Sequence, residues 1–60
     1  MIAVPIKNID VIPMTKYEYK NKLKEVAHLE YKWIKGFYFT DIHIWLSEDN
    51  FYKYFKLNEN

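Results

Sequence analysis

Four side chains of this 60-residue chain have the chemistry to hold a metal ion: His28, Glu30, Asp41 and His43. Imidazole nitrogens and carboxylate oxygens are ordinary ligands for zinc and other divalent ions. A hairpin that folded residues 28–34 onto residues 37–46 would set His28 opposite His43 and Glu30 opposite Asp41. The spacing is that of no known metal motif, so the four are read as surface residues, with no metal and no cofactor expected. Catalytic groupings have less support. Ser47 has no histidine at a spacing that suggests a triad, and it reads as a turn or cap residue. Glu18 is accounted for by a helix cap, and Glu48-Asp49 fall in a turn. Gly36 is the single glycine, so no Gly-rich loop can cradle a phosphate. No enzyme is expected.

The second chemistry is that of aromatic rings. Twelve residues are aromatic, and most follow residue 30, interleaved with Lys, Asp and His. Each ring buries roughly 150–250 Å², and a domain of this size has little interior. Some rings must lie on a surface, where an apolar patch marks contact with another molecule. Phe39, Trp45, Tyr52 and Tyr54 are the candidate contact rings, with Lys32 and Lys56 as the accompanying cations. Trp and Tyr are frequent hot spots in protein recognition. Rings beside Lys also suit single-stranded nucleic acid, whose bases stack while cations follow the backbone.

Composition narrows the classes. The net charge is +1, and all nine positive side chains are Lys. That balance argues against a DNA mimic and against strong nonspecific duplex binding, which needs many phosphate contacts. With no Cys there is no disulfide and no thiolate zinc site. No apolar run approaches the ~20 residues of a membrane span, and the start of the chain lacks the pattern of a secretion signal. A cytoplasmic protein with no membrane association is expected. Heavy use of Lys, Asn, Ile and Tyr suggests an AT-rich genome, and size and composition resemble those of small proteins from phages and other mobile elements.

The elements that would position these residues form one α+β domain over residues 1–60. Residues 1–14 read as an arm or edge strand, because Pro5 cannot occupy a central strand and Pro13 ends the segment. Thr15-Lys16-Tyr17-Glu18 fits a capping box, and Tyr19, Leu23, Val26 and Ala27 follow as an amphipathic stripe. A helix over residues 15–27 is expected. Continuation to Lys35, with Gly36 as C-cap, is the alternative. Residues 28–57 then form an antiparallel three-stranded meander, turning at Lys35-Gly36 and at residues 47–50. Side-chain alternation places Leu29, Tyr31, Trp33, Tyr38, Thr40, Ile42, Ile44 and Leu46 under the helix. The opposite, open face carries Phe37, Phe39, Trp45, Tyr52 and Tyr54, pairing Trp45 with Tyr52, His43 with Tyr54 and Asp41 with Lys56. Two features count against this register: X-Gly is a less favoured two-residue turn than Asn-Gly, and Glu30 opposes Asp41. For the C-terminus the competing expectation is a helix capped by Ser47, with Phe51, Tyr52 and Phe55 inward.

The function expected is that of a non-catalytic binding protein, a regulator, inhibitor or accessory subunit that engages a larger protein through the aromatic face. Single-stranded nucleic-acid binding is the alternative. Packing of the same rings on a second copy of the chain would give a homodimer.

Overall fold

The computed structural model describes residues 1–21 and 25–58. Among them the chain runs β1 (Ile2–Pro5), α1 (Lys16–Asn21), β2 (Val26–His28), β3 (Gly36–Phe39), β4 (Ile44–Ser47), α2 (Glu48–Tyr54) and β5 (Phe55–Asn58). The architecture is α+β, as the residue pattern implies. β2, β3 and β4 form an antiparallel meander, and β1 pairs with β5 in a separate two-stranded ribbon. Pro5 is tolerated because it ends β1, opposite Phe55. No helix among the described residues is long and apolar enough to cross a membrane.

The capping box forms as its sequence dictates. Thr15 N–H donates to Glu18 Oε1 at 3.2 Å, and Glu18 N–H donates to Thr15 Oγ1 at 3.2 Å. The helix that follows is shorter than expected. α1 is described as far as Asn21, and Val26, Ala27 and His28 are strand, paired with Phe39, Tyr38 and Phe37. Leu23, the middle of the proposed stripe, lies outside the described residues. Tyr19 is buried, so the inward start of the stripe holds. Val26 is buried too, but it gets there on a strand, where a β-branched side chain is at home.

The hairpin turn lies three residues before the expected Lys35-Gly36. Tyr31 and Ile34 exchange both backbone hydrogen bonds, at 2.9 and 3.0 Å, which makes Lys32-Trp33 a two-residue loop. Both loop residues have positive φ, 51° and 70°, as a primed hairpin turn requires. The shift places Glu30 across from Lys35 and removes the Glu30–Asp41 opposition.

The C-terminal strand expected over residues 51–57 is corrected for its first part: residues 51–54 belong to α2, and only residues 55–57 are strand, paired with β1 and not with the meander. Ser47 caps α2, its Oγ accepting from Asn50 N–H at 3.4 Å, and Glu48 and Asp49 occupy the first turn. There they complement the helix dipole. Helical spacing turns Phe51 and the C-cap residue Phe55 to one side. The cross-strand pairs Trp45–Tyr52, His43–Tyr54 and Asp41–Lys56 therefore do not form. Tyr38 stands opposite Trp45, and Phe37 opposite Leu46.

The core is aromatic. Phe37 stacks on Phe51 with ring centroids 4.2 Å apart, Phe51 on Phe55 at 5.2 Å, and Tyr19 meets Phe55 edge-on at 5.0 Å. Phe39 fills the centre, 5.1 Å from Phe55. These five rings are fully buried, with Ala3, Ile9, Ile12, Val26 and Leu46 around them. α2 thus covers the Phe37/Phe39 side of the meander. The two alternating sets of side chains are divided as expected within β3, but the covered and open sides are exchanged.

Candidate functional site

On the side of the meander away from α2, alternation brings Ala27, Leu29 and Tyr31 beside Ile34, Tyr38 and Trp45. Neither helix packs on this side. Leu29, Tyr31 and Ile34 are each about half exposed, and Trp33, at the tip of the hairpin, is 92% exposed. The result is a strip of apolar and aromatic surface that runs from the middle of the sheet to a projecting indole.

The strip is held by specific contacts. Trp45 Nε1 donates to the Leu29 carbonyl at 2.7 Å, tying the centre of the sheet to the arm of the hairpin. Its ring lies 5.5 Å from that of Tyr31. Gly36 makes room for this indole, because a Cβ there would sit 2.5 Å from Trp45 Cε2 and Cζ2 and would also strike the Leu46 carbonyl oxygen. The single glycine is thus needed for close approach, since its own φ is not in the left-handed region. At the far end Tyr38 Oη and His43 Nδ1 are 2.8 Å apart, and His43 itself has φ 54° in the turn between β3 and β4. Lys32 Nζ lies 5.3 Å from the centre of the Tyr31 ring, within cation–π range.

The six residues expected to form one contact face are dispersed. Lys32 and Trp45 belong to the strip. Tyr52 is half exposed on α2, edge-on to Phe37 at 5.7 Å, on the opposite side of the sheet. Phe39 is fully buried, which corrects its assignment to a contact surface: it faces α2 and Tyr19. Tyr54 is half-buried, with Lys7 Nζ 5.1 Å over its ring and its hydroxyl donating to Asp10 Oδ1. That hydrogen bond, then burial and the nearby charge, push the Tyr54 phenol above its ordinary range. Lys56 is exposed on β5 opposite Val4, in the other sheet.

Trp33, Tyr31, Leu29 and Ile34 replace them. Trp33, Tyr31 and Leu29 were expected under the helix; Leu29 and Tyr31 keep the side they share with Tyr38, but α2 covers the other side, and Trp33 leaves the strand for the turn. Cross-strand charge was the signal that could have found the true turn, since only the earlier one sets Glu30 against Lys35.

The His28, Glu30, Asp41, His43 grouping does not assemble. His28 stands opposite Phe37, ring centroids 4.7 Å apart, while His43 is engaged with Tyr38. Among the described residues no three His, Asp or Glu side chains converge to hold a metal. Ser47 is occupied as a cap and Glu18 in the capping box. Two open clefts, of about 350 and 270 Å³, flank Lys35 and Glu48 at the base of the hairpin. No family model matches the sequence, and no curated protein or solved structure matches it.

Proposed function

We propose that this chain is a small non-catalytic binding protein, a regulator, inhibitor or accessory subunit, that docks on a larger protein through the hairpin tip and the uncovered sheet strip. The observation that carries this reading is Trp33. A bulky residue in the left-handed region costs about 1–2 kcal/mol relative to a glycine, and Trp33 and Lys32 both accept that conformation. The strained tip gives Trp33 almost no packing against the described residues, for its side chain is almost wholly exposed. The geometry closes the hairpin, but a Trp where Asn or Gly fits the turn better gains nothing inside the chain, and this points to an external contact. Burial of one large apolar side chain supplies roughly 1.5–3 kcal/mol. Trp33 with Tyr31 and Ile34 around it has the make-up of an interface hot spot.

The test is capture of partners from the native host with tagged wild type, Tyr31→Ala/Trp33→Ala, and Tyr17→Ala as a control on exposed α1. The expected result is a specific partner that the double variant loses and the control keeps. Equal capture by all three would remove the strip from consideration.

Single-stranded nucleic acid is the second reading, favoured by Lys32 beside the Tyr31 ring with Trp33 next to it. It predicts quenching of Trp fluorescence by an oligonucleotide and affinity that falls steeply with salt. Of the expected cations only Lys32 stands at the strip, so the protein partner is preferred.

A further inference from the structure

β2 is the edge strand of the meander, and on its outer side the described residues show only the isolated bridge of Ile2 with Glu25. In an antiparallel ladder each residue turns its N–H and C=O to the same side, and successive residues alternate. The odd residues turn inward. Thr40 N–H donates to the Glu25 carbonyl, Leu29 N–H to the Gly36 carbonyl and Tyr31 N–H to the Ile34 carbonyl. The even residues turn outward, and Val26 N–H donates to the Met1 carbonyl at 2.8 Å. The chain's first residue therefore occupies the beginning of this edge. Beyond it, His28 and Glu30 direct their backbone groups outward, and the pairing that continues to Tyr31 keeps the stretch extended. Both side chains are exposed. Such an edge is a template for strand addition.

Charge decides which strand fits. A second copy added antiparallel about a twofold axis must set outward-facing residues opposite one another, which allows three registers here. His28 opposite His28 brings Glu30 to Val26, whose N–H already serves Met1. Glu30 opposite Glu30 confronts like charges. The third register has its axis at Leu29 and sets His28 of each copy opposite Glu30 of the other. It also brings Leu29 against Leu29 and Tyr31 against Ala27 on the uncovered side. We propose that two copies of this chain join through their β2 edges in this register, making one continuous six-stranded sheet from the two meanders. The self-complementary edge satisfies what a closed twofold interface requires. The dimer would present two Trp33 tips on one sheet, whatever molecule docks there.

Sedimentation equilibrium of the purified chain tests this. Wild type should show twice the chain mass. Glu30→Pro should be monomeric with an unchanged circular dichroism spectrum, because the Glu30 N–H points away from β3 and proline blocks an edge. Glu30→Lys should weaken dimerisation about tenfold or more by replacing two attractive cross-strand pairs. His28→Glu/Glu30→Lys should restore it, since each Glu would again meet a Lys. A wild type that stays monomeric at millimolar concentration overturns the proposal. So does a dimer that survives Glu30→Pro, or a folded double variant without recovery. Should Glu30→Pro unfold, the charge-reversal pair decides by itself.

Discussion

The indole of Trp45 lies so close over Gly36 that no side chain fits between them. This contact holds β4 and the base of the hairpin at one spacing, and the bond from Trp45 Nε1 to the Leu29 carbonyl locks the indole across both arms. Trp45 is thus a strut of the contact strip as well as part of its surface.

Gly36→Ala should destabilise the fold by about 1–3 kcal/mol, the usual range for overpacking. The Leu46 carbonyl cannot move aside as a flexible side chain would. Urea denaturation measures this directly. A cost under about 0.5 kcal/mol, the size of an ordinary surface substitution, would mean that the indole has room to shift.

Phe39 and Trp33 should behave in opposite ways. Phe39→Ala removes a fully buried ring and should cost about 3–5 kcal/mol, enough to unfold much of a chain this small. Trp33→Ala should leave the melting temperature nearly unchanged while abolishing partner capture. A large stability loss in Trp33→Ala would show that the tip packs within the protein.

Replacing the strained loop with its preferred residues should separate stability from function. Lys32→Asn/Trp33→Gly installs the favoured Asn-Gly turn and should stabilise the chain by about 1–2 kcal/mol. The same variant should lose its partner. Retained binding would shift the contact to Tyr31, Ile34 and Trp45.

Stability should fall at alkaline pH. Burial, and after it the charge of Asp41, raises the Tyr19 phenol well above its ordinary value. The folded state therefore favours the neutral hydroxyl. Its contribution is fully present below the unfolded phenol pKa of about 10 and is lost as pH rises from there toward the folded value. Tyr54 shifts in the same direction through its bond to Asp10. Tyr19→Phe should flatten the decline between pH 9 and 11 in a series of thermal melts (a range set at about one unit either side of the ordinary phenol). It should cost little at neutral pH, since the Tyr19 hydroxyl has no hydrogen-bond partner among the described residues. An unaltered alkaline decline in Tyr19→Phe would assign the effect elsewhere.

Thr15→Ala should cost about 1 kcal/mol, the common value for a lost N-cap. The hydroxyl both accepts from the Glu18 N–H and meets its carboxylate, at 3.2 and 3.0 Å. A circular dichroism melt that overlays wild type would remove the capping box from the stability of α1.

Local signals were legible in the residues themselves. A capping box depends on side chains three positions apart, and it forms at Thr15 and Glu18 whatever surrounds it. Ser47, Glu48 and Asp49 carried a helix start of the same kind, set against a Tyr- and Phe-rich run that also suits a strand. Packing settled that contest, because a helical turn stacks Phe51 on Phe55 and brings both to Phe37 and Phe39, whereas a strand would hold the two roughly 13 Å apart along one face. The contact strip was harder to read. Both alternating sets of side chains in the meander contain large rings, so periodicity alone could not say which set is covered. A lone glycine suggests a turn at Lys35-Gly36, whereas that glycine serves the Trp45 indole and the turn uses two residues that ordinarily avoid its geometry.

Residue order by itself determined an α+β domain, the cap of α1, the confinement of Pro5 to a strand end and an excess of rings over interior. These follow from steric and hydrogen-bonding rules that act within a few residues. Tertiary structure alone decided the turn at Lys32-Trp33, the burial of Phe39 and the exposure of Trp33. Those outcomes depend on which side of the sheet α2 covers, and that choice is made by the summed packing of rings distant in the chain.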